Sequence, residues 1–362
     1  MRFELNLDAF TTKTPPMLGL DVSTTSVKLV ELADAGKGTY RLERYAVVPL
    51  PKEAVTDGNI ANLDQVVDAV RTAWKELGTR VRHVVMALPA SAVITKKIMM
   101  PAGLGEIELE NQVEAEANQA IPFSLDEVNL DFQVLGPVPN SPNDVQVLLV
   151  AARKEKVEDR VAVAEGAGLK PLVMDVESYA TVTAYQLIAN LLPNRGAGQT
   201  VAILDVGANN MHINVLYDNE PVYLREHGFG AQQLNQEIAR RYGMTSEEAD
   251  QAKRRGTLPD SYEAEVLQPY AETLAMEIAR ALQLFTTSTQ FHKVDQILLA
   301  GGGAAIPALD EVVANRTGVP TIVVNPFSNM ALGSKVKPQE LTRDAPALFV
   351  ACGLAMRRFD PQ

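Results

Sequence analysis

The chain has 362 residues, of which 46% are hydrophobic and 22% charged, with one cysteine and a net charge of −12 at pH 7. That length suits about two domains and a full core without disulfides or metals, and the composition excludes a disordered chain, a collagen-like repeat or a long coiled coil. The acidic surplus disfavours nonspecific binding to nucleic acid or anionic lipid, so a phosphate ligand must be held by local features. Cys352 has no partner for an internal disulfide, and His83, His212, His227 and His292 lack zinc-site spacing, which suits a reducing compartment. The opening Met1-Arg2-Phe3-Glu4 is not a secretory signal, and no stretch approaches the ~18 apolar residues of a membrane helix. A cytoplasmic protein is expected.

Residues 1–16 end in Thr14-Pro15-Pro16 and read as a mobile arm, because consecutive prolines continue neither a helix nor a ladder. Within the arm Phe3, Leu5 and Leu7 alternate like a strand. Met17–Asp21, Val27–Leu32 and Tyr40–Val48 then predict a three-stranded meander. Val66, Val67, Val70, Trp74 and Leu77 recur at helical spacing and stop at Gly78, a C-terminal cap. After the strand-like Val84–Leu88, the rhythm changes over 94–170, which reads as an inserted subdomain. It holds an acidic helix over Glu106–Ala120, an exposed loop over Gly136–Asp144, a fully buried strand over Val145–Ala152 and a helix from Glu155.

The first domain is accordingly expected at 17–93 with 171–195 and 340–362, and the second at 196–339. The second repeats the plan of the first, with strands at Thr200–Asp205, Met211–Tyr217 and Val222–Arg225. Helices at Ala231–Tyr242, Thr245–Arg255 and Tyr262 to about Gln290 follow, then a strand, Gln296–Ala300, running into Gly301-Gly302-Gly303. Leu18-Gly19-Leu20-Asp21-Val22-Ser23 and Ala202-Ile203-Leu204-Asp205-Val206-Gly207 superpose with the aspartate in the same place.

Each hairpin turn, Ser23-Thr24-Thr25-Ser26 and Gly207-Ala208-Asn209-Asn210, exposes backbone N–H groups in a concavity suited to phosphate. Asp21 and Asp205, each ending a first strand, would face one cleft and hold Mg²⁺ through water, and Lys28 would neutralise phosphate charge. Taken singly, each aspartate also reads as a turn cap and Lys28 as a solvated strand lysine. The repeat, followed by three glycines that admit a flat ligand, favours the phosphate reading. Thr245-x-x-Glu248 has capping-box spacing, and the same helix would also present Glu248 and Lys253 to a nucleoside.

These features resemble the actin, Hsp70 and sugar-kinase ATPase superfamily. The segments Gly19–Lys28, Glu114–Phe123, Asn325-Pro326-Phe327 and Asp344–Leu348 look like its PilM family, the actin-like proteins of type IV pilus assembly. The resemblance implies an α/β fold of duplicated actin-like (ribonuclease H-like) domains around a nucleotide cleft, with an FtsA-type subdomain inserted in the first. It also implies ATP with Mg²⁺ held by Asp21, Ser23, Thr24, Thr25, Ser26 and Lys28 on one side, and by Asp205, Gly207, Ala208, Asn209 and Asn210 on the other. Glu248 and Lys253 would flank ribose and base, and Gly301, Gly302 and Gly303 would pass beside the adenosine. Glu177 would polarise an attacking water in at most a slow ATPase, though as the first acid of a helix it also suits the dipole.

The same resemblance implies that the groove between the first domain and the inserted subdomain receives the N-terminal peptide of PilN. The protein would thereby join the PilN/PilO/PilP inner-membrane complex, with the pilus motor ATPases as further partners, and sit peripherally at the inner membrane. The acidic helix face Glu106, Glu108, Glu110, Glu114 and Glu116 reads as a solvated surface or as an attraction for a basic partner. Two alternatives remain on this fold: an FtsA-like filament ATPase, for which the chain end Met356–Gln362 leaves no tether helix, and a small-molecule kinase, for which no substrate-pocket motif stands out.

Overall fold

The computed structural model describes residues 15–138 and 141–360. The arm read at 1–16 therefore lies outside the described residues as far as Thr14. The meander forms as expected from β1 (Met17–Val22), β2 (Ser26–Gly36) and β3 (Thr39–Pro49). A short hairpin, β4 (Val55–Thr56) and β5 (Asn59–Ile60), leads into α1 (Leu63–Leu77) and then β6 (His83–Leu88), parallel to β1. Helix α1 starts where the Asn62 side chain accepts from the Gln65 N–H at 3.1 Å, and it stops at Gly78, whose φ of 64° is left-handed.

The insertion comprises β7 (Val93–Pro101), α2 (Glu106–Ala120), β8 (Val128–Val138) and β9 (Ser141–Arg153), a three-stranded antiparallel sheet in the order β7-β9-β8. Helix α2 covers one face of it, closing a small core of Met100, Val113, Ala117, Ile121, Val147 and Leu149. Three expectations change here. Within the loop read over Gly136–Asp144, Gly136–Val138 end β8 and Ser141–Asp144 begin β9, while 139 and 140 lie outside the described residues. The strand read as continuously buried alternates, with Val147, Leu149 and Ala151 inside while Gln146, Leu148 and Val150 stay partly exposed, because a helix covers only one face. The helix from 155, α3 (Lys154–Gly166), packs Val163 and Ala164 against Val66, Val67 and Val70 of α1 and so belongs to the first domain's core.

Strand β10 (Lys170–Val176) then joins β6 in parallel, and α4 (Glu177–Ala189) crosses to the second domain. There follow β11 (Thr200–Val206), β12 (Met211–Tyr217), β13 (Glu220–His227), α5 (Gln232–Tyr242), α6 (Ser246–Arg255), α7 (Gln268–Ser288), β14 (Gln296–Ala300), α8 (Leu309–Thr317) and β15 (Thr321–Val323). Strand β16 (Ala331–Leu332) adds to the outer edge of β3, so the chain rejoins the first sheet ahead of the boundary expected at 340. Helices α9 (Pro338–Asp344) and α10 (Phe349–Met356) complete it.

The first sheet runs β10-β6-β1-β2-β3-β16 and the second β13-β12-β11-β14-β15. Read from the central strand, β1 and β11 each have an antiparallel neighbour and then a third strand on one side. On the other side each has two parallel strands. The duplication suggested by one aspartate thus extends to five strands. Helices α1 and α3 cover the outer face of the first sheet, and α7 and α8 the outer face of the second.

Between the sheets lie α4 and α10, with Ala184, Tyr185, Ile188 and Phe349 against Val201, Ile203 and Leu298. The backbones of α4 and α10 cross closely, where a Cβ on Gly353 would lie 1.9 Å from the Ala180 carbonyl oxygen, and α10 lies as close on β1, where a Cβ on Gly19 would lie 2.0 Å from the Ala351 carbonyl oxygen. Gly353→Ala should therefore lower stability by about 2–4 kcal/mol, because backbone atoms cannot give way as a side chain can. Chemical denaturation checks this, and a loss below about 0.5 kcal/mol would contradict the close crossing.

Candidate functional site

Both hairpin turns close with the same bond, Ser23 N–H to the Ser26 carbonyl at 3.0 Å and Gly207 N–H to the Asn210 carbonyl at 2.9 Å. The antiparallel register sets Asp21 opposite Lys28 and Asp205 opposite His212, so each carboxylate has a basic residue across the ladder. Lys28 Nζ lies 2.7 Å from Asp21 Oδ2 and donates to Ser23 Oγ at 3.0 Å, and both ionic partners are buried. Ser23 Oγ in turn donates to the Ser26 carbonyl at 3.0 Å. Thr25 is exposed at the tip and Thr24 and Ser26 are half-buried beside it, with Ser26 Oγ 3.5 Å from Ser23 Oγ.

In the second turn Asn209 is exposed, whereas the Asn210 amide donates to Glu226 of β13, whose carboxylate also lies 3.8 Å from His212. The carbonyls of Gly207 and Ala208 accept from the N–H groups of Ala231 and Gln232 at 2.9 and 2.8 Å, which seats the start of α5 against this turn. A Cβ on Gly230 would lie 2.4 Å from the Ala208 oxygen. The Gly228-x-Gly230 spacing just ahead of a helix is the sign of this contact in the sequence.

The third carboxylate is Glu177, the first residue of α4, delivered by β10. Burial, with the charges of Asp21 and Asp205 nearby, pushes it up to about 7, against the lowering pull of His212 and Arg160. Asp205 is likewise raised, by burial first and by Asp21, while His212 and Lys28 oppose the shift. The helix-start position and the cleft position therefore coincide in one residue. Arg160 of α3, 3% exposed, was not singled out from the sequence; it donates to the carbonyls of Val22 at 2.9 Å and Gly58 at 2.8 Å.

Of the three glycines, Gly301 abuts the second turn: its φ is 85°, and a Cβ there would lie 2.2 Å from Asp205 Oδ1 and 2.5 Å from the Val206 oxygen. Gly303 is pressed against Val206, and Gly302 faces open space, which leaves room for a flat ligand at that point. Glu248 stands apart from this cluster. Fully exposed, it accepts from the Thr245 N–H at 2.8 Å in a capping box, and that bond lowers its pKa. Lys253 donates to Asn235 Oδ1 of α5 at 2.6 Å, within a network that also includes Gln232, Ser246 and Asp250.

The residues present fit a magnesium nucleotide. Two tight turns of small and polar residues stand over two strand-end carboxylates, and glycines keep the backbone open beside Asp205. Among the described residues no three His, Cys, Asp or Glu side chains converge as ligands. A magnesium ion here would therefore keep waters and phosphate oxygens as most of its shell, as that cation commonly does.

A second concavity, ≈ 500 Å³, opens where the insertion meets the first domain. Asp57, Pro89, Ala92 and Lys156 line one wall, and Phe123 and Val128 the other. The Arg153 guanidinium lies 4.0 Å from the centre of the Phe123 ring, and Glu155 pairs with both Arg153 and Lys156 at 3.6 and 3.8 Å, so the lining mixes apolar side chains with charges of both signs.

The raised Glu177 has a consequence for stability. Between its usual 4.5 and about 7 the folded state holds a proton that the unfolded state has lost, so stability falls as pH rises through that window. In nucleotide-free protein with chelator, Glu177→Gln should therefore stabilise by on the order of 1–3 kcal/mol near pH 8 and by little near pH 4.5. Thermal unfolding of both forms at the two pH values checks this. Equal stability near pH 8 would contradict it.

Comparison with known proteins gives a match to the family model of type IV pilus assembly protein PilM over residues 19–359. A solved PilM-PilN type IV pilus biogenesis complex contains a chain 28% identical, with a TM-score of 0.79, covering 96% of this chain and 100% of that one. The ethanolamine utilization protein EutJ from Carboxydothermus hydrogenoformans shares the fold at 15% identity and a TM-score of 0.55, over 94% of this chain and 89% of its own. So does a diol dehydratase-reactivating factor at 9% and 0.53, over 95% and 100%. The fold is the actin-like ATPase fold, and the chain belongs to the PilM family of type IV pilus assembly proteins.

Proposed function

We propose that the protein is a nucleotide-dependent adaptor of the type IV pilus platform on the cytoplasmic side of the inner membrane. In this reading it binds Mg-ATP between its domains and the N-terminal peptide of PilN in the groove beside the insertion. The observation that carries it is the pair of equivalent hairpins whose carboxylates, Asp21 and Asp205, influence the same Glu177 from opposite domains. Such a cleft has a reason to close only on a ligand that brings positive charge between the carboxylates and phosphate oxygens to the two turns.

ATP would bring the phosphates, and its magnesium would offset the carboxylate charge. Ser23 to Ser26 and Gly207 to Asn210 would cradle oxygens from the two sides, while Lys28, already paired with Asp21, would lie under the first turn. Gly301 to Gly303 would admit the nucleoside, with Lys253 nearby through α5. Glu248 enters only as the cap that starts α6. Glu177 would hold or release the proton of a water beside the phosphates, which suits at most slow hydrolysis.

The PilN assignment is supported by the partner in the solved complex and by the groove itself, whose apolar patches and charges of both signs suit an extended peptide. Among the described residues no helix is long and apolar enough to cross a membrane, so attachment to the membrane would run through PilN, and through PilN to PilO and PilP. Motor ATPases would contact other faces.

Calorimetric titration of a synthetic PilN N-terminal peptide, with and without Mg-ATP, tests the reading. The wild type should bind it and respond to nucleotide, Asp21→Ala should bind it without that response, and Ala92→Trp should lose at least about tenfold in peptide affinity while keeping ATP. Failure of the wild type to bind the peptide, or full affinity in Ala92→Trp, would contradict the assignment.

A further inference from the structure

The cleft and the groove are tied together by one side chain, and this deepens the proposal just made and rests on it. Arg160 stands in the middle of α3, 3% exposed, with its guanidinium divided between two loops. One nitrogen donates to the carbonyl of Val22 at 2.9 Å, the last residue of β1 before the first phosphate turn. The other donates at 2.8 Å to the carbonyl of Gly58, in the two-residue turn between β4 and β5. That turn is packed on the groove: a Cβ on Gly58 would lie 2.9 Å from Pro89 Cγ, and Asp57, Asn59 and Pro89 all line the concavity. Arg160 also lines a narrow pocket that shares Asn59, Pro89, Ala92 and Lys156 with the groove.

Helix α3 is continuous with β9, so it is the direct covalent continuation of the inserted subdomain. Lys156, one turn before Arg160, lies on the groove wall. A peptide that shifts the β4–β5 turn or the insertion must therefore pull on the guanidinium, and a ligand that shifts Val22 must do the same from the other side. Both carbonyls are bound by the same planar fork, whose nitrogens cannot move independently. A Lys or a neutral side chain at this place could not hold both loops in one geometry.

We infer that Arg160 is the positioning residue through which the first phosphate turn and the peptide groove sense each other's occupancy. Mg-ATP should alter PilN-peptide affinity through this fork, and by linkage the peptide should alter ATP affinity by the same factor. The test titrates the synthetic PilN peptide and Mg-ATP, each alone and each in the presence of the other, into full-length wild type, Arg160→Lys and Arg160→Met. The wild type should show reciprocal coupling of about fivefold or more. In both variants the coupling, read within each protein as the ratio of one ligand's affinity with and without the other, should fall towards unity whatever the substitution does to either affinity alone.

A merely structural role would weaken each single affinity and leave the ratio intact, so that result would overturn the inference. Coupling that survives in Arg160→Lys would overturn it too, as would a wild type that binds both ligands independently. Loss of either single affinity in the wild type would instead overturn the adaptor reading beneath it. Should Arg160→Met fail to fold, hydrogen exchange on the wild type and Arg160→Lys decides: Mg-ATP should change protection of the amides over 58–60 in the wild type only, and an equal change in both would refute the link.

Discussion

Asp21, Asp205 and Glu177 reach one cleft from two domains and the helix between them, where burial, and then the charge of Asp21, raises the cost of ionising both Glu177 and Asp205. Most of the local architecture serves to make that concentration of charge tolerable. The antiparallel register places a base opposite each aspartate, Lys28 in one hairpin and His212 in the other. Arg160 adds a buried positive charge from behind the first turn, held in place by two backbone carbonyls rather than by a carboxylate of its own. Burial first, and the charges of Asp21 and Asp205 after it, still push Glu177 up to about 7.

The same cleft depends on how closely the two halves are bound at its base. Helices α4 and α10 fill the space between the sheets, and Gly353 and Gly19 allow backbone to rest on backbone there. That packing fixes the base of the cleft, while the second turn is seated locally by the bond from Ala231 N–H to the Gly207 carbonyl. The insertion has its own small core and meets the rest of the chain through β7, α3 and the groove.

Much of this was legible in the sequence because the controlling signals were short-range. The repeated Asp hairpins, the triple glycine, the cap at Gly78 and the limits of the acidic helix all follow from neighbouring residues, and the structure keeps them. What was hidden depends on contacts far apart in the chain. His212 looked like one of four scattered histidines until the ladder set it opposite Asp205. Arg160 lies 138 residues from the carbonyl it holds, and nothing in the helical pattern of α3 marks it. The join at Arg153–Lys154, where β9 passes directly into α3, carries no glycine or proline, so the return to the first domain was misplaced into the insertion. Glu248 satisfied two patterns at once, and the local capping bond is the one its side chain makes.

The account stands on Asp21 and Asp205 acting together on one magnesium nucleotide. Titration of ATP into the wild type, Asp21→Asn and Asp205→Asn, each with magnesium and with chelator, tests that claim most directly. The account predicts magnesium-dependent binding in the wild type and a loss of about tenfold or more in each variant, with the magnesium dependence gone in both. ATP binding that is indifferent to magnesium, or that survives both substitutions, would contradict it.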